Sequence, residues 1–237
     1  MASVNRWQAD LLALVVLLLA LNLATGFVLD GWVSGAVQIG AAVAAVAVAL
    51  RRGYTPAQLG LDRRELGSGL RLGGTVSAVI IATIAVAAVV PFSRGFFDDD
   101  RFVDLPAIEA AVEVVLRIPI VTALGEELLF RSVLLAVLLL ATTTGRAVAI
   151  SSLLFGLWHV LTTIGDLDGN AATDDLSTWE AVLGVVGVVV ATGIAGAGFC
   201  WLRLRSGSIV APWLVHTVLN ASTYLAGVIL VGGGHIS

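Results

Sequence analysis

Two adjacent glutamates, Glu126 and Glu127, lie inside a stretch of chain that otherwise reads as lipid-soluble helix. Ile118, Pro119, Ile120, Val121 and Leu124 lead into the pair, and Leu128, Leu129 and Phe130 follow it before Arg131. A charge at the centre of a bilayer costs about 2.5–3.5 kcal/mol on insertion scales. Two carboxylates at that depth need a partner or a use. Any fold open to this chain must therefore bring compensating polar groups to the same level.

The rest of the sequence supports the membrane reading. The chain of 237 residues is 58% hydrophobic and 13% charged, whereas a soluble domain carries about a quarter charged residues. Several apolar runs reach the roughly 20 residues that a spanning helix needs. The expected fold class is all-α, a polytopic helical transmembrane bundle of seven to eight spans, with 1–237 forming a single membrane domain. The first run, from Leu11 to Leu29, is long for a signal segment and is read as the first span. The one cysteine, Cys200, excludes an internal disulfide and reads as a small buried hydrophobe.

Polar punctuation divides the chain. Spans are expected near 9–29, 32–50, 71–90, 118–141, 147–164, 179–202 and 208–231, with Asp30-Gly31 as a turn and Pro91 as a stop. The segment 107–117 reads as an amphipathic lead-in whose Glu109, Glu113 and Arg117 share one helical face. Glycines 184, 187, 193, 196 and 198 suit close helix packing. Arginine is the sole Lys/Arg-type residue, since the chain has no lysine. Arg6, the 51–71 segment, Arg146, Arg203 and Arg205 all fall on one side of a seven-span count. Loops 91–106 and 165–178, with Asp98, Asp99, Asp100 and Asp104 in the first, fall on the other. The positive-inside rule then predicts a multi-pass protein of the cell membrane with a cytoplasmic N-terminus. Trp7, Trp32, Trp179 and Trp201 sit near span ends, as interfacial anchors do.

Few polar residues remain inside the spans. Glu127 and Arg131 stand at i, i+4 and can pair, while Glu126 is turned about 100° away. His159 follows Phe155 by one turn, and His216 and Asn220 share a face of the last span. His235 reads as a solvated tail residue. At about 1.5 Å per residue from each cytoplasmic end, Glu126, His159 and Asn220 lie about 18–22 Å deep and His216 about 12 Å. Within boundary error, one layer holds an acid, two imidazoles and an amide. A carboxylate can take a proton from water, an imidazole can bind a metal or polarise that water, and an amide can donate to an oxyanion. That is the outfit of a peptide hydrolase working in the membrane.

Other intramembrane protease patterns are absent: there is no His-Glu-x-x-His, no Gly-x-Gly-Asp, and no serine in a Gly-x-Ser-Gly setting. Ser206-Gly207-Ser208 reads as a turn that caps a span. The three motifs instead resemble the CPBP group of CAAX proteases and bacteriocin-processing enzymes, whose best-known members are type II CAAX prenyl endopeptidases. Glu126, Glu127 and Arg131 match Glu-Glu-x-x-x-Arg. Phe155 and His159 match Phe-x-x-x-His, and His216 and Asn220 match His-x-x-x-Asn. The resemblance covers about 107–231, the expected catalytic core.

What the resemblance implies is an endopeptidase that hydrolyses a peptide bond at the membrane. It gives Glu126, helped by His159, the activation of water. His216 and Asn220 would form an oxyanion site, and Glu127 and Arg131 would support the first motif. It leaves a divalent metal such as zinc open, with Glu126, His159 and His216 as the donors. The implied partners are the lipid bilayer and a peptide or protein substrate, lipidated in some relatives, and no nucleic acid. Two rivals predict other behaviour: a transporter or proton relay would use the same buried groups, and a silent immunity or scaffold protein would keep the fold without turnover.

Overall fold

The computed structural model describes residues 4–29, 31–97, 100–168 and 178–232, and statements of absence below concern these residues. Asp30, Asp98, Asp99, the acidic stretch 169–177 and His235 lie outside them. The architecture is all-α. Helix α1 (Val4–Phe27) returns through α2 (Gly31–Arg51). A short turn of helix, Pro56–Leu59, follows; Thr55 and Gln58 cap it reciprocally, and Gly60 closes it in the left-handed region. Helix α3 (Leu66–Val89) ends where Pro91 withdraws a backbone donor.

The segment 107–141 forms one long helical element, α4, of uneven pitch. Ala107–Val112 is α-helical, Glu113–Leu124 and Glu127–Leu134 are π-helical, and Leu135–Ala141 is α-helical again. Runs of i→i+5 bonding are rare and collect at functional sites. Pro119 sits inside the first of these runs, where its missing N–H already breaks the regular ladder. Helix α5 (Thr144–Trp158) stops at His159, and α6 (Val160–Asp168) continues from there. Helices α7 (Thr178–Ser206) and α8 (Val210–Gly232) complete the bundle.

Among the described residues, six helices are long and apolar enough to cross a membrane: Trp7–Phe27, Gly31–Arg51, Arg63–Val89, Thr144–Ile164, Thr178–Ser206 and Val210–Val231. Six candidates stand where seven to eight spans were expected. The helix over 107–141 is the difference, because its changes of pitch divide it into segments of 6, 12, 8 and 7 residues. Its position explains its polar content. Every residue from 125 to 138 is buried, so α4 is the axis of the bundle and its neighbours meet the lipid. Those neighbours carry the outward apolar faces a bilayer requires, with Leu19 59% and Val79 62% exposed.

Packing is closest where side chains are smallest. A Cβ on Gly73 of α3 would sit 3.0 Å from the Ala211 backbone, which lets α3 and α8 touch along their length. The glycine stripe of α7 is used only in part: Gly193 and Gly196 face α5, whereas Gly184, Gly187 and Gly198 have nothing within 4 Å of an added Cβ. The packing reading therefore holds for two of those five positions. Trp32, Trp179 and Trp201 are exposed near helix ends, and Cys200 is a buried free thiol. Ser206 Oγ accepts from the Ser208 N–H across Gly207, which forms the expected turn between α7 and α8.

Candidate active site

The π-helical stretch turns Glu127 and Arg131 into the bundle core, where they are 0% and 1% exposed. Arg131 Nη1 donates to Glu127 Oε1 at 3.1 Å, the ion pair expected from the i, i+4 spacing. The guanidinium also lies over aromatic faces, with Cζ 3.9 Å from the Phe155 ring centre and 4.9 Å from that of Phe199. Such contacts stabilise a desolvated cation by about 2 kcal/mol. Gly196 makes room for it, since a Cβ there would stand 3.2 Å from Arg131 Nη2.

Glu127 has a second partner that spacing did not reveal. His216 Nδ1 lies 2.9 Å from Glu127 Oε1. A carboxylate can only accept, so Nδ1 carries the proton and donates. The imidazole is stacked on Phe199 at 4.8 Å with an interplanar angle of 22°. Held at one nitrogen and one face, His216 presents Nε2 to Glu126, whose Oε2 is 3.9 Å away. That gap is too long for a hydrogen bond and suits one atom bridging both groups.

Glu126 is 4% exposed. Its Oε1 accepts a hydrogen bond from the Trp158 indole N–H at 3.2 Å, while Oε2 is buried without a hydrogen-bond partner. Trp158 ends α5. The neighbouring His159 caps that helix, with its Nδ1–H donating to Phe155 O at 2.8 Å and its ring edge-on to Phe155 at 4.8 Å. The helix break frees the Trp158 carbonyl, which accepts from Asn22 Nδ2 on α1 at 2.7 Å.

Four expected residues thus converge. Glu126, Glu127, Arg131 and His216 are joined directly, and Phe155 ties His159 to them, its ring 6.0 Å from that of His216. No hydrogen bond or ion pair among the described residues joins His159 to either glutamate, and the histidine beside Glu126 is His216. Asn220 lies half-buried one turn beyond His216 on α8. The span expected at 147–164 falls within the candidate span Thr144–Ile164, with a single turn residue at His159, where the Phe155 carbonyl accepts from the His159 side chain. Trp158 and Asn22 went unread in the sequence. The signal was present in Asn22, an amide alone in an apolar run, and in a tryptophan between two motif residues.

A cleft of about 350 Å³ reaches Glu126 and Trp158 from one end of the bundle. Asn22, Thr25, Ser34, Gln38, Arg117 and Thr122 line it, an unusual share of polar groups for a membrane interior.

The donor set does not fit a tightly held metal. Zinc needs at least three protein donors at about 2.0–2.3 Å, and no group of three or more His, Cys, Asp or Glu among the described residues is so arranged. His216 Nδ1 is engaged by Glu127 and His159 Nδ1 by Phe155 O. Glu126, His159 and His216 therefore do not assemble a zinc site.

Residues 109–222 match the family model described as type II CAAX prenyl endopeptidase Rce1-like. The match contains every residue of the cluster except Asn22. No curated protein and no solved structure matches the chain.

Proposed function

With residues 109–222 a domain of the Rce1-like CAAX protease family, we propose that this protein is a membrane-embedded endopeptidase whose general base is Glu126. The observation that carries the reading is the facing pair of acceptors, Glu126 Oε2 and His216 Nε2, 3.9 Å apart and each fixed from behind. A water between them donates one proton to each and turns its lone pair outward to a scissile carbonyl.

Glu126 takes the proton as the oxygen–carbon bond forms. The carbonyl oxygen becomes the oxyanion, and the Asn220 amide, on the same face of α8 as His216, donates to it. Collapse of the tetrahedral intermediate breaks the carbon–nitrogen bond, and Glu126 returns its proton to the departing amine. His159, held by Phe155, borders the substrate side. In this arrangement the water is shared with His216, a change from the partner that family resemblance implies. Glu127 and Arg131 hold His216 and do not react. The core so defined spans 107–231 of one membrane domain, and the substrate is a peptide or protein segment at the bilayer.

The test is Glu126→Gln, nearly isosteric and unable to accept the proton. Cleavage of a membrane-tethered peptide by purified protein in liposomes is expected to fall by about 10²–10⁴-fold, the scale of general-base catalysis. Unchanged turnover removes the proposal. Solute flux without cleavage in the same liposomes would favour the transporter rival.

A further inference from the structure

The polar cleft and the arginines lie at opposite ends of the bundle. The cleft is lined by the last turns of α1 (Asn22, Thr25), the first turns of α2 (Ser34, Gln38), the early part of α4 (Arg117, Thr122) and the start of α6 (Leu161, Thr162). All of these belong to the end where α1 stops and α2 begins. The other end gathers Arg51 and Arg52 at the close of α2, Arg63 and Arg64 before α3, Arg146 at the start of α5, and Arg203 and Arg205 in the last turn of α7. Contacts confirm that these belong together. Arg52 pairs with Asp10 of α1 at 2.8 Å, and Arg203 Nη2 donates to the carbonyls of Ala57 and Gln58 at 3.1 and 2.9 Å. Outside the buried Arg131, the cleft end carries only Arg94, Arg101 and Arg117.

Arginine-rich short connections stay in the cytoplasm, and acidic residues contribute little to that rule. From this asymmetry and the position of the cleft we infer that the candidate active site opens to the side of the membrane away from the cytoplasm, and that its substrates are extended peptide segments presented from there. The lining suits such a chain. Asn22 and Gln38 each spend an amide N–H on a neighbouring carbonyl, at 2.7 and 3.5 Å, and keep a carbonyl oxygen that can accept from a peptide N–H. Thr25, Ser34, Thr122 and Thr162 add hydroxyls. A space of about 350 Å³ admits a few residues of unfolded chain and excludes a folded domain. The same path delivers the water that hydrolysis consumes, which a site sealed in lipid lacks. A cytosolic, lipid-modified C-terminus meets the opposite end of this bundle.

The substrate half of this inference rests on the peptidase reading; the direction of opening does not. Single cysteines at Ser34 and Thr162, beside the cleft, and at Ala57, at the arginine end, separate the two. The native Cys200 is 0% exposed and serves as a silent background. A membrane-impermeant maleimide applied to intact cells is expected to label S34C and T162C, and to label A57C only after lysis. Labelling of A57C in intact cells, with S34C and T162C requiring lysis, overturns the inference. A pool of short random-sequence peptides outside intact cells is expected to be cleaved by the wild type and spared by Glu126→Ala. Cleavage that appears only after permeabilisation overturns the inference while the peptidase reading stands. Cleavage in neither setting removes that reading and the substrate class with it, leaving the labelling to decide the side.

Discussion

The His216 imidazole donates from Nδ1 to Glu127 Oε1 over 2.9 Å, linking α8 to α4 through a carboxylate that is itself 0% exposed. The same oxygen accepts from Arg131 at 3.1 Å. Glu127 is therefore the hub of a buried charged network, whereas Glu126 beside it turns its unbonded Oε2 toward His216 Nε2. Two glutamates of identical chemistry acquire different tasks because one faces a fixed cation and the other faces an indole and an imidazole nitrogen.

Glu127→Ala is expected to damage stability more than any change at Glu126. It leaves Arg131, 1% exposed, without its counter-charge. Breaking a buried pair from one side costs about 3–5 kcal/mol. Thermal unfolding in detergent should show a large fall for Glu127→Ala and a small one for Glu126→Gln. Equal shifts would contradict the division of labour.

Trp158→Phe keeps the ring that packs 5.7 Å from Phe130 and deletes the N–H that holds Glu126 Oε1. A hydrogen bond to a charged group contributes about 1.5–3 kcal/mol, so turnover should drop roughly 10–100-fold if the bond matters chiefly in the transition state. KM should hold nearly constant, since the indole N–H is spent on the carboxylate. Steady-state kinetics on the tethered peptide check this. A rise in KM with kcat intact would instead make Trp158 part of the substrate cleft.

Trp158 also marks where the sequence stopped being readable. The membrane class, the ion pair of Glu127 with Arg131, and the meeting of Glu126 with His216 follow from hydropathy and helical spacing, both of which are local. The π-helical pitch of α4 does not, because it depends on which carbonyls neighbouring helices satisfy: Trp213 Nε1 donates to Pro119 O at 2.8 Å and Gln38 Nε2 to Val121 O at 3.5 Å. The break at His159 was equally hidden. It depends on the ring donating to Phe155 O and on Asn22 capping Trp158 O from another helix. Tertiary partners decide both features, and a periodicity reading assumes them regular.

Gly60→Ala tests the floor of the bundle. Gly60 has φ +72°, and an added Cβ would collide with Arg203 Nε. A left-handed alanine costs about 1–2 kcal/mol by itself, and displacing Arg203 also breaks its bonds to Ala57 and Gln58 carbonyls. The melting temperature should fall clearly, whereas Gly74→Ala, where an added Cβ meets nothing within 4 Å, should leave it almost unchanged.

Asn22→Leu reaches the site from outside the matched domain. Leucine has a similar size and suits an apolar helix, so insertion should be normal; the loss is the donor to Trp158 O at 2.7 Å. An unmet carbonyl at a buried helix break costs about 1–3 kcal/mol. Closing the break would move Trp158 off Glu126 and His159 off Phe155 together, since the two residues are adjacent. Turnover is therefore expected to fall about as far as in Trp158→Phe, and the double variant should be no worse than either single one. Independent, multiplying losses in that double-mutant cycle would show that Asn22 serves the cleft and leaves the carboxylate alone.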